Sequence, residues 1–278
     1  MERYSFVQWI LFFYFYCFCG WIWESCYVSV LKKHWVNRGF LHGPLLPIYG
    51  FGAVCVLWVT IPARESIPLV FLLGMTGATI LEYLTGELME RLFNVRYWDY
   101  SNHRFNVKGH ICLACSIGWG FFSVALIEVI HAPVERLILR IPAAWAAVAA
   151  VLITAGFAAD TVVSVREALD LKELLKKVTQ NSQEFQRIQK RVDVLIAVVE
   201  DDKEKFRERL EQNLDHVKAA RELEGLKQEI ERLRQQGIPG KDRLYRQASR
   251  ILKRNPGSIS AKYKKALEEM KENFEKKI

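Results

Sequence analysis

The sequence lacks the short motifs that identify most soluble ATPases, serine hydrolases and zinc proteases. It contains no G-x-x-x-x-G-K-[ST] phosphate loop, no G-x-S-x-G nucleophile elbow and no H-E-x-x-H zinc motif. Residues 237–242 come nearest to a phosphate loop, but they have neither its spacing nor its final hydroxyl. We therefore expect no ATP hydrolysis through a P-loop of this chain, and we assign no catalytic residue, metal or cofactor.

Cysteine is missing from the second half of the chain. All six cysteines lie in apolar segments between Cys17 and Cys115, which is unlike the disulfide framework of a small secreted protein. The pair Cys112-x-x-Cys115 lacks two further zinc ligands, so we expect it to pack within an apolar span. Zinc-finger spacings and RNP-like motifs are also absent, and no nucleic acid partner is predicted.

Charged residues are scarce from residue 5 to residue 165 and frequent from residue 166 onwards. This contrast predicts an all-α chain in three parts. We expect a polytopic transmembrane helix bundle at residues 1–165, a cytoplasmic long-helix or coiled-coil region at 166–240, and a basic helical tail at 241–278.

Apolar runs predict about five membrane spans, at residues 5–31, 45–61, 67–93, 109–130 and 143–165, with a connector at 131–141. The first run is too long for a cleaved signal and has no clear cleavage site, so we expect it to be retained. Lys and Arg are more frequent in the first and third connectors than in the second and fourth. The positive-inside rule then places the N-terminus outside and the C-terminus in the cytoplasm.

Residues 37–52 interrupt the apolar pattern with Asn37, Arg38, His42, four glycines and two prolines. Since Pro and Gly oppose a continuous helix, we predict irregular backbone here. Such backbone survives at membrane depth only inside protein or beside a wet cavity. The predicted topology brings Glu24 and Glu82 to the same level, so we expect both acids to be partners of Arg38.

These polar residues are the candidates for a substrate or cavity site. The full set is Glu24, Asn37, Arg38, His42, Tyr49, Glu82, Glu87, Glu90, Asp99, Asn106 and Ser116. Two alternatives stay open: Glu87 and Glu90 at the level of the lipid headgroups, and His42 as an ordinary hydrogen-bonded loop histidine.

The second half of the chain has a helical rhythm. Apolar residues recur every three or four positions over residues 185–199 and again over 223–233, which favours a coiled coil or an antiparallel helix pair with a break near 200–202. Residues 241–278 contain 12 Lys or Arg and five Asp or Glu, and two short basic helices are expected around residues 255–257. This tail is predicted to contact anionic lipid; the alternative is a solvated surface.

A set of residues in the membrane half is specific in its order and spacing: Gly20-Trp21, Glu24, 37–41, Gly43-Pro44, 47–50, Glu82, Thr85-Gly86, Glu90, 98–101, Asn106, Gly109, Ser116 and Trp119-Gly120. In these residues the chain resembles a bacterial family described as putative ABC-transporter type IV. The resemblance covers roughly residues 10–135 and implies an integral protein of a bacterial plasma membrane, with no identified substrate. It also implies a separate ATPase subunit, and five spans are few for a pore, so we expect a homo-oligomer.

Three functions fit these observations. The first is a permease-like subunit with a polar cavity facing the cytoplasm, since broken helices and polar clusters occur at transporter substrate sites. The second is a non-transporting scaffold or sensor that uses its coiled coil to bind partners. The third is an intramembrane enzyme acting on lipid, with Glu24, Glu82, Arg38 and His42 as its acid-base and phosphate-binding groups.

Overall fold

The computed structural model describes residues 4–205, 224–226, 228 and 241–275. The chain folds into two compact units. Unit 1 contains Met1–Lys172 and Gln247–Lys264, and unit 2 contains Glu173–Arg246 and Lys265–Ile278. The unit that holds the predicted membrane half therefore also includes a short piece of the C-terminal tail.

The described residues are mostly helical, as predicted. The helices are α1 Phe6–Lys32, α2 Pro47–Thr60, α3 Ile67–Phe93, α4 Leu113–Ala125, α5 His131–Leu139, α6 Ala143–Lys205, α7 Lys241–Arg254 and α8 Lys264–Glu275. Two short strands, β1 Asn106–Val107 and β2 Ile111–Cys112, pair antiparallel before α4, with Val107 opposite Ile111.

Local sequence signals explain where the first helices begin and end. Ser5 and Gln8 form a capping box at the start of α1, and Lys33 ends it in the left-handed conformation. Pro47 occupies the first turn of α2, where its missing N–H costs nothing. Asn94, also left-handed, ends α3.

Four helical segments are long and apolar enough to cross a membrane: Phe6–Lys32, Ile67–Phe93, Leu113–Leu139 and Ala143–Gln180. The predicted count of five is not confirmed, because the second apolar helix is short. With 14 residues, α2 reaches only about 21 Å, against a hydrocarbon core of about 30 Å. A 3₁₀ turn, Ile61–Ala63, follows α2 and begins the short connection to α3.

The connector predicted at residues 131–141 is wrong. A π-helical turn, Leu126–Ile130, leads directly from α4 into α5, which continues to Leu139. Pro133 lies in the first turn of α5. Proline has no N–H to donate to a helical hydrogen bond. The π turn just before Pro133 already departs from the α-helical hydrogen-bond pattern, so the span continues through the proline.

The break predicted near residues 200–202 is also wrong, because α6 is helical from Ala143 to Lys205. The three residues at 200–202 are acidic and include neither Gly nor Pro, the residues that most oppose a helix, and Glu200 is a good helix former. Of the two stretches with a heptad rhythm, 185–199 lies within α6 and most of 223–233 lies outside the described residues, so the coiled coil stays a prediction. The two helices expected around residues 255–257 are present as α7 and α8.

The apolar core of unit 1 lies where the first half of α1 packs with α2, α5 and the start of α6. Its members include Leu11, Phe12, Tyr16, Val56, Leu57, Leu126, Val134, Ile138, Ala146 and Ala150. Many other large apolar side chains are exposed, among them Trp23, Trp58, Phe121 and Trp145. Exposed apolar surface on long apolar helices is what a lipid-facing bundle requires. Unit 2 has its own buried apolar residues, including Leu174, Leu175, Ile188 and Met270.

Candidate functional site

The connection between α1 and α2 folds back along α1. The N–H of Arg38 donates to Ser25 Oγ (3.1 Å), and the N–H of Leu46 donates to the Cys17 carbonyl (3.0 Å). Hydroxyl and carbonyl groups of α1 thus replace the helical partners that Gly and Pro deny to this segment. The prediction of irregular backbone is confirmed for residues 37–46 and is wrong for residues 47–52, which form the start of α2 because proline is tolerated in the first turn of a helix.

Asn37 holds this connection in shape. Its Oδ1 accepts from Trp21 Nε1 of α1 (2.6 Å), and its Nδ2 donates to the His42 carbonyl (2.7 Å). The side chain therefore bridges α1 and the loop, and both of its polar atoms are occupied. We assign Asn37 a structural role at this site.

Arg38 and Glu24 meet as expected. Arg38 Nε lies 3.7 Å from Glu24 Oε2, and the Tyr49 hydroxyl donates to Glu24 Oε1 (2.8 Å). Arg38 Nη2 donates to the Tyr97 carbonyl (3.1 Å). A glycine allows this arrangement, since a Cβ at Gly20 of α1 would overlap the Tyr49 side chain.

Glu82 lies near this pair but has other partners than Arg38, so that expected contact is wrong. It is 5% exposed in the middle of α3. Trp119 Nε1 donates to its Oε2 (2.9 Å), and the Tyr100 hydroxyl donates to its Oε1 (3.2 Å). Arg38 is held away because its guanidinium already contacts the α1 acid and two groups outside the spans.

Two cavities meet at these residues. The polar compartment, about 270 Å³, is lined by Glu24, Arg38, Tyr49, Glu82, Trp98, Asn255 and neighbouring apolar residues. The apolar groove, about 630 Å³, is lined by residues such as Tyr16, Trp23, Phe122, Leu126 and Ile130. Tyr49, Tyr100 and Trp119 line both. The same three side chains donate the hydrogen bonds to Glu24 and Glu82.

His42 lies in a separate group of charges against α6, which we call the His42 cluster: His42, Asp160, Ser164, Glu167 and Arg254. His42 Nδ1 lies 3.0 Å from Asp160 Oδ1, and His42 Nε2 lies 3.1 Å from Glu167 Oε2. Arg254 Nη2 donates to Glu167 Oε2 (3.0 Å), and both side chains are more than 90% buried. The alternative of a hydrogen-bonded loop histidine therefore describes His42 better than a cavity residue.

Asp160 also fixes the loop backbone, because its carboxylate accepts from the N–H groups of His42 (3.1 Å) and Gly43 (2.7 Å). These contacts tie the α1–α2 connection to α6. A carboxylate in an apolar, alanine-rich run is the same signal that singled out Glu24, and the sequence interpretation overlooked it here.

Glu87 and Glu90, near the end of α3, face the connector that follows. Arg91 Nη2 lies 2.7 Å from Glu87 Oε1, and Arg96 Nε lies 2.7 Å from Glu90 Oε2. His110 Nε2 lies 3.2 Å from Glu90 Oε2 without the alignment of a hydrogen bond. Neither acid lines the two cavities described above. Glu90 is tied to the connector by Arg96, and Glu87 is tied to it by Lys108, whose Nζ lies 3.4 Å from Glu87 Oε2.

Asp99 and Asn106 build this connector. Asp99 accepts from the N–H of Ser101 (3.1 Å) and lies 3.6 Å from Arg96 Nη1. Asn106 Nδ2 donates to the His103 carbonyl (2.8 Å), and its Oδ1 accepts from the N–H of Gly109 (3.1 Å). These contacts position Trp98 and Tyr100, which do line the polar compartment.

Two further predicted features lie at α4. Ser116 is buried and is not among the lining residues of either cavity. Cys112 is the N-cap of α4, where its Sγ accepts from the N–H of Cys115 (3.4 Å). Among the described residues, no group of three or more His, Cys, Asp or Glu side chains is arranged so that it could hold a metal ion.

The C-terminal segment at residues 254–260 completes the polar compartment. Arg38 Nη1 donates to Asn255 Oδ1 (3.0 Å), and Asn255 Nδ2 donates to the Gly39 carbonyl (3.0 Å). Arg96 and Ile259 exchange two backbone hydrogen bonds of 2.7 and 2.9 Å. We call this segment the latch. No sequence pattern predicts contacts between residues so far apart in the chain, so the latch was missed.

Burial changes the pKa of the groups around the latch. Desolvation raises the pKa of the Tyr97 phenol, whose hydroxyl has no hydrogen-bond partner among the described residues; the nearby Arg254 charge partly offsets this. Desolvation, followed by the charge of Glu82, raises the pKa of Tyr100. Burial lowers the pKa of Arg254, and the charge of Glu167 opposes that shift. Both phenols therefore stay neutral at physiological pH.

A comparison with known protein families identifies the family to which the chain belongs. The profile of the family described as "Putative ABC-transporter type IV" matches residues 11–165. The chain belongs to this family. No curated protein and no solved structure matches the chain. The match extends about thirty residues beyond the expected end near residue 135, and it includes Asp160.

Family membership and the four apolar helices indicate a multi-pass membrane protein. The matched residues contain both acids of the polar compartment, Arg38 and the three side chains shared by the two cavities. Glu167, Arg254 and Asn255 lie outside the match. The latch therefore lies outside the part of the chain that the family profile covers.

Proposed function

We propose that the chain is the permease-like membrane subunit of an ABC transporter and that its substrate occupies the polar compartment. Family membership supports the transporter class. The observation that carries the proposal is the polar compartment itself, a cavity that is lined by Glu24, Arg38 and Glu82 within an otherwise apolar helix bundle. Ionisable groups inside an apolar bundle are costly, and they commonly mark a substrate pathway.

A separate ATPase subunit is required by this proposal, since the sequence has no P-loop. We place the N-terminus outside and the C-terminus inside a bacterial plasma membrane, on the distribution of Lys and Arg. This placement counts the α1–α2 connection and the short α2 together as one crossing, since the connection folds back along α1 as far as Cys17. Four long spans are few for a pore, so we propose a homo-oligomer as the working unit. Exposed lysines of the C-terminal tail, rather than Arg250 and Arg254 that contact Glu167, are the candidates for contact with anionic lipid.

The test is affinity purification of the full chain from its native membrane in a mild detergent. We expect a nucleotide-hydrolysing subunit to co-purify and its ATPase rate to depend on the chain. Arg38→Ala should reduce the coupled rate, whereas Glu65→Gln, an acid at an exposed position of the α2–α3 connection outside both cavities, should not. Recovery of the chain without any ATPase, and no stimulation by candidate ATPases, would overturn the proposal.

The scaffold or sensor is a second candidate because α6 continues from the end of its candidate span at Gln180 to Lys205. A long helix that continues past a span suits partner binding. The two candidates differ in which substitutions matter for the cell. If Arg38→Ala and Glu82→Gln left the phenotype of the wild type intact while changes in unit 2 abolished it, the scaffold would replace the permease.

A further inference from the structure

We propose that the polar compartment and the apolar groove together bind a lipophilic ammonium ion. Its cationic nitrogen would lie beside Glu82, and its alkyl part would occupy the groove. As a statement about the transported substrate, this rests on the proposed function; as a statement about binding, it stands on the geometry alone.

The first reason is an unmatched charge. No Lys, Arg or His nitrogen lies within 4.0 Å of the Glu82 carboxylate in the part of the chain that the structure describes. Arg38 is occupied by Glu24, by the Tyr97 carbonyl and by Asn255. Glu24 and Arg38 cancel, which leaves the compartment one negative charge as long as Glu82 is a carboxylate. A buried carboxylate without a cation is costly, and a cationic ligand removes that cost.

The second reason is the aromatic lining. Tyr49, Trp98, Tyr100 and Trp119 all line the compartment that contains Glu82. The face of an aromatic ring attracts a cation within about 6 Å of its centre, and cages of such rings recognise quaternary ammonium groups. An anionic headgroup would meet Glu24 and Glu82 and the electron-rich ring faces instead. Ca²⁺ or Mg²⁺ would need about six oxygen ligands, and no group of three or more His, Cys, Asp or Glu side chains that could hold a metal ion is found among the described residues.

The third reason is the way in which the two cavities join. Tyr49, Tyr100 and Trp119 line both cavities and direct their donors at Glu24 and Glu82. Their rings therefore stand between an acidic site and an apolar one. With about 630 Å³, the groove has the volume of an ordinary small-molecule site. A ligand that fits both parts carries its charge at one end and an alkyl or aryl group at the other.

The test is equilibrium binding to the purified full chain in a neutral detergent, measured by scintillation proximity with tritiated decyltrimethylammonium. Unlabelled decyltrimethylammonium should displace the probe, whereas decyl sulfate and decanol, with the same chain length, should compete at least about tenfold less well. Such a factor corresponds to about 1.4 kcal/mol. This binding measurement contains no ATPase and is therefore independent of the transport test. Absence of ammonium binding would leave the proposed transport function intact, and absence of transport would leave a positive binding result intact.

Variants separate the ligand site from a structural role of Glu82. Glu82→Gln should weaken binding of the ammonium probe at least about tenfold. Glu82→Asp keeps the charge and should retain binding, and Glu65→Gln, at an exposed position of the α2–α3 connection outside both cavities, should bind like the wild type. Equal binding of decanol and the ammonium ion, or unchanged binding by Glu82→Gln, would show that a proton alone neutralises Glu82 and would overturn the proposal.

Discussion

Two groups of side chains in unit 1 each contain a buried acid, and the partners of that acid differ between the two groups. In the His42 cluster, Glu167 lies within ion-pair distance of Arg254, Arg250 and His42. In the polar compartment, Glu82 receives hydrogen bonds from the neutral donors Trp119 and Tyr100. The first group is matched by cations of the chain itself, and the second borders a cavity.

This difference indicates that the His42 cluster is a structural contact, which we call a joint, and that the polar compartment is a candidate binding site. A buried acid with its cations in place needs nothing further, and it ties the α1–α2 connection, α6 and the latch into one unit. A buried acid that has only neutral donors still gains from a cation brought from outside. Four substitutions test whether the two groups differ as described.

Glu167→Gln should have the largest effect on stability. The substitution leaves Arg254 buried without its carboxylate, and removing one partner of a buried pair costs about 3–5 kcal/mol. We expect a clear fall in the thermal unfolding midpoint of the purified chain in detergent. Glu173→Gln is the control on the same helix, because the Glu173 side chain is 57% exposed and pairs with a neighbouring lysine. Equal midpoints for the two variants would contradict the description of the His42 cluster.

Asn255→Ala should loosen the latch. Asn255 is 2% exposed and bonds to Arg38 Nη1 and the Gly39 carbonyl, so its removal should cost about 1–3 kcal/mol. The measurement is limited trypsin digestion, with the rate of cleavage after Lys253 followed by mass spectrometry. Lys262→Ala, at an exposed position, is the control. If both variants were cut at the rate of the wild type, the latch would not depend on Asn255.

Gly20→Ala should narrow the junction of the two cavities. A Cβ there overlaps the base of the Tyr49 side chain, which cannot rotate away without moving its hydroxyl from Glu24. Overpacking of this kind costs about 1–3 kcal/mol. Gly156→Ala is the matched control in a membrane-spanning helix, since nothing lies within 4 Å of its Cβ position. A thermal midpoint for Gly20→Ala at or above that of Gly156→Ala would argue against the close contact.

Glu82→Gln should have the smallest effect on stability. The amide keeps an acceptor for Trp119 Nε1, and the buried charge disappears, so we expect the free energy of unfolding to change by less than about 1 kcal/mol. The thermal midpoint should therefore stay close to that of the wild type, unlike that of Glu167→Gln. A loss as large as that of Glu167→Gln would mean that Glu82 is part of a joint as well.

The sequence was sufficient for the helices and for one half of the candidate site. Apolar runs of the length of a membrane span predicted α1, α3, α4 and α6, because a helix satisfies its own backbone hydrogen bonds in lipid. Glycines and prolines predicted the irregular loop, and the Glu24–Arg38 pair followed from the position of Arg38 within it. The bounds were less certain: a π turn continued the fourth span, and α6 ran through the expected break.

Partners distant in the chain could not be predicted. Glu82 was expected beside Arg38, but Trp119 and Tyr100 bind it, and Asn255 takes a position on the guanidinium. Each of these contacts depends on helix packing at the level of single side chains. Hydrophobic periodicity predicts which face of a helix is buried, but it does not predict how the neighbouring helix is rotated about its own axis. A rotation that brings a donor from the next turn into reach changes the hydrogen-bond partner of a buried acid.

By itself, the sequence determined an all-helical membrane domain with acids, an arginine and a broken segment at one level, because length, hydropathy and backbone chemistry are local properties. Only the tertiary structure decided how those charges are matched. It filled the His42 cluster with cations from the distant tail and gave Glu82 neutral donors beside a cavity. Charge matching depends on distances between remote side chains, and those distances exist only in the folded chain.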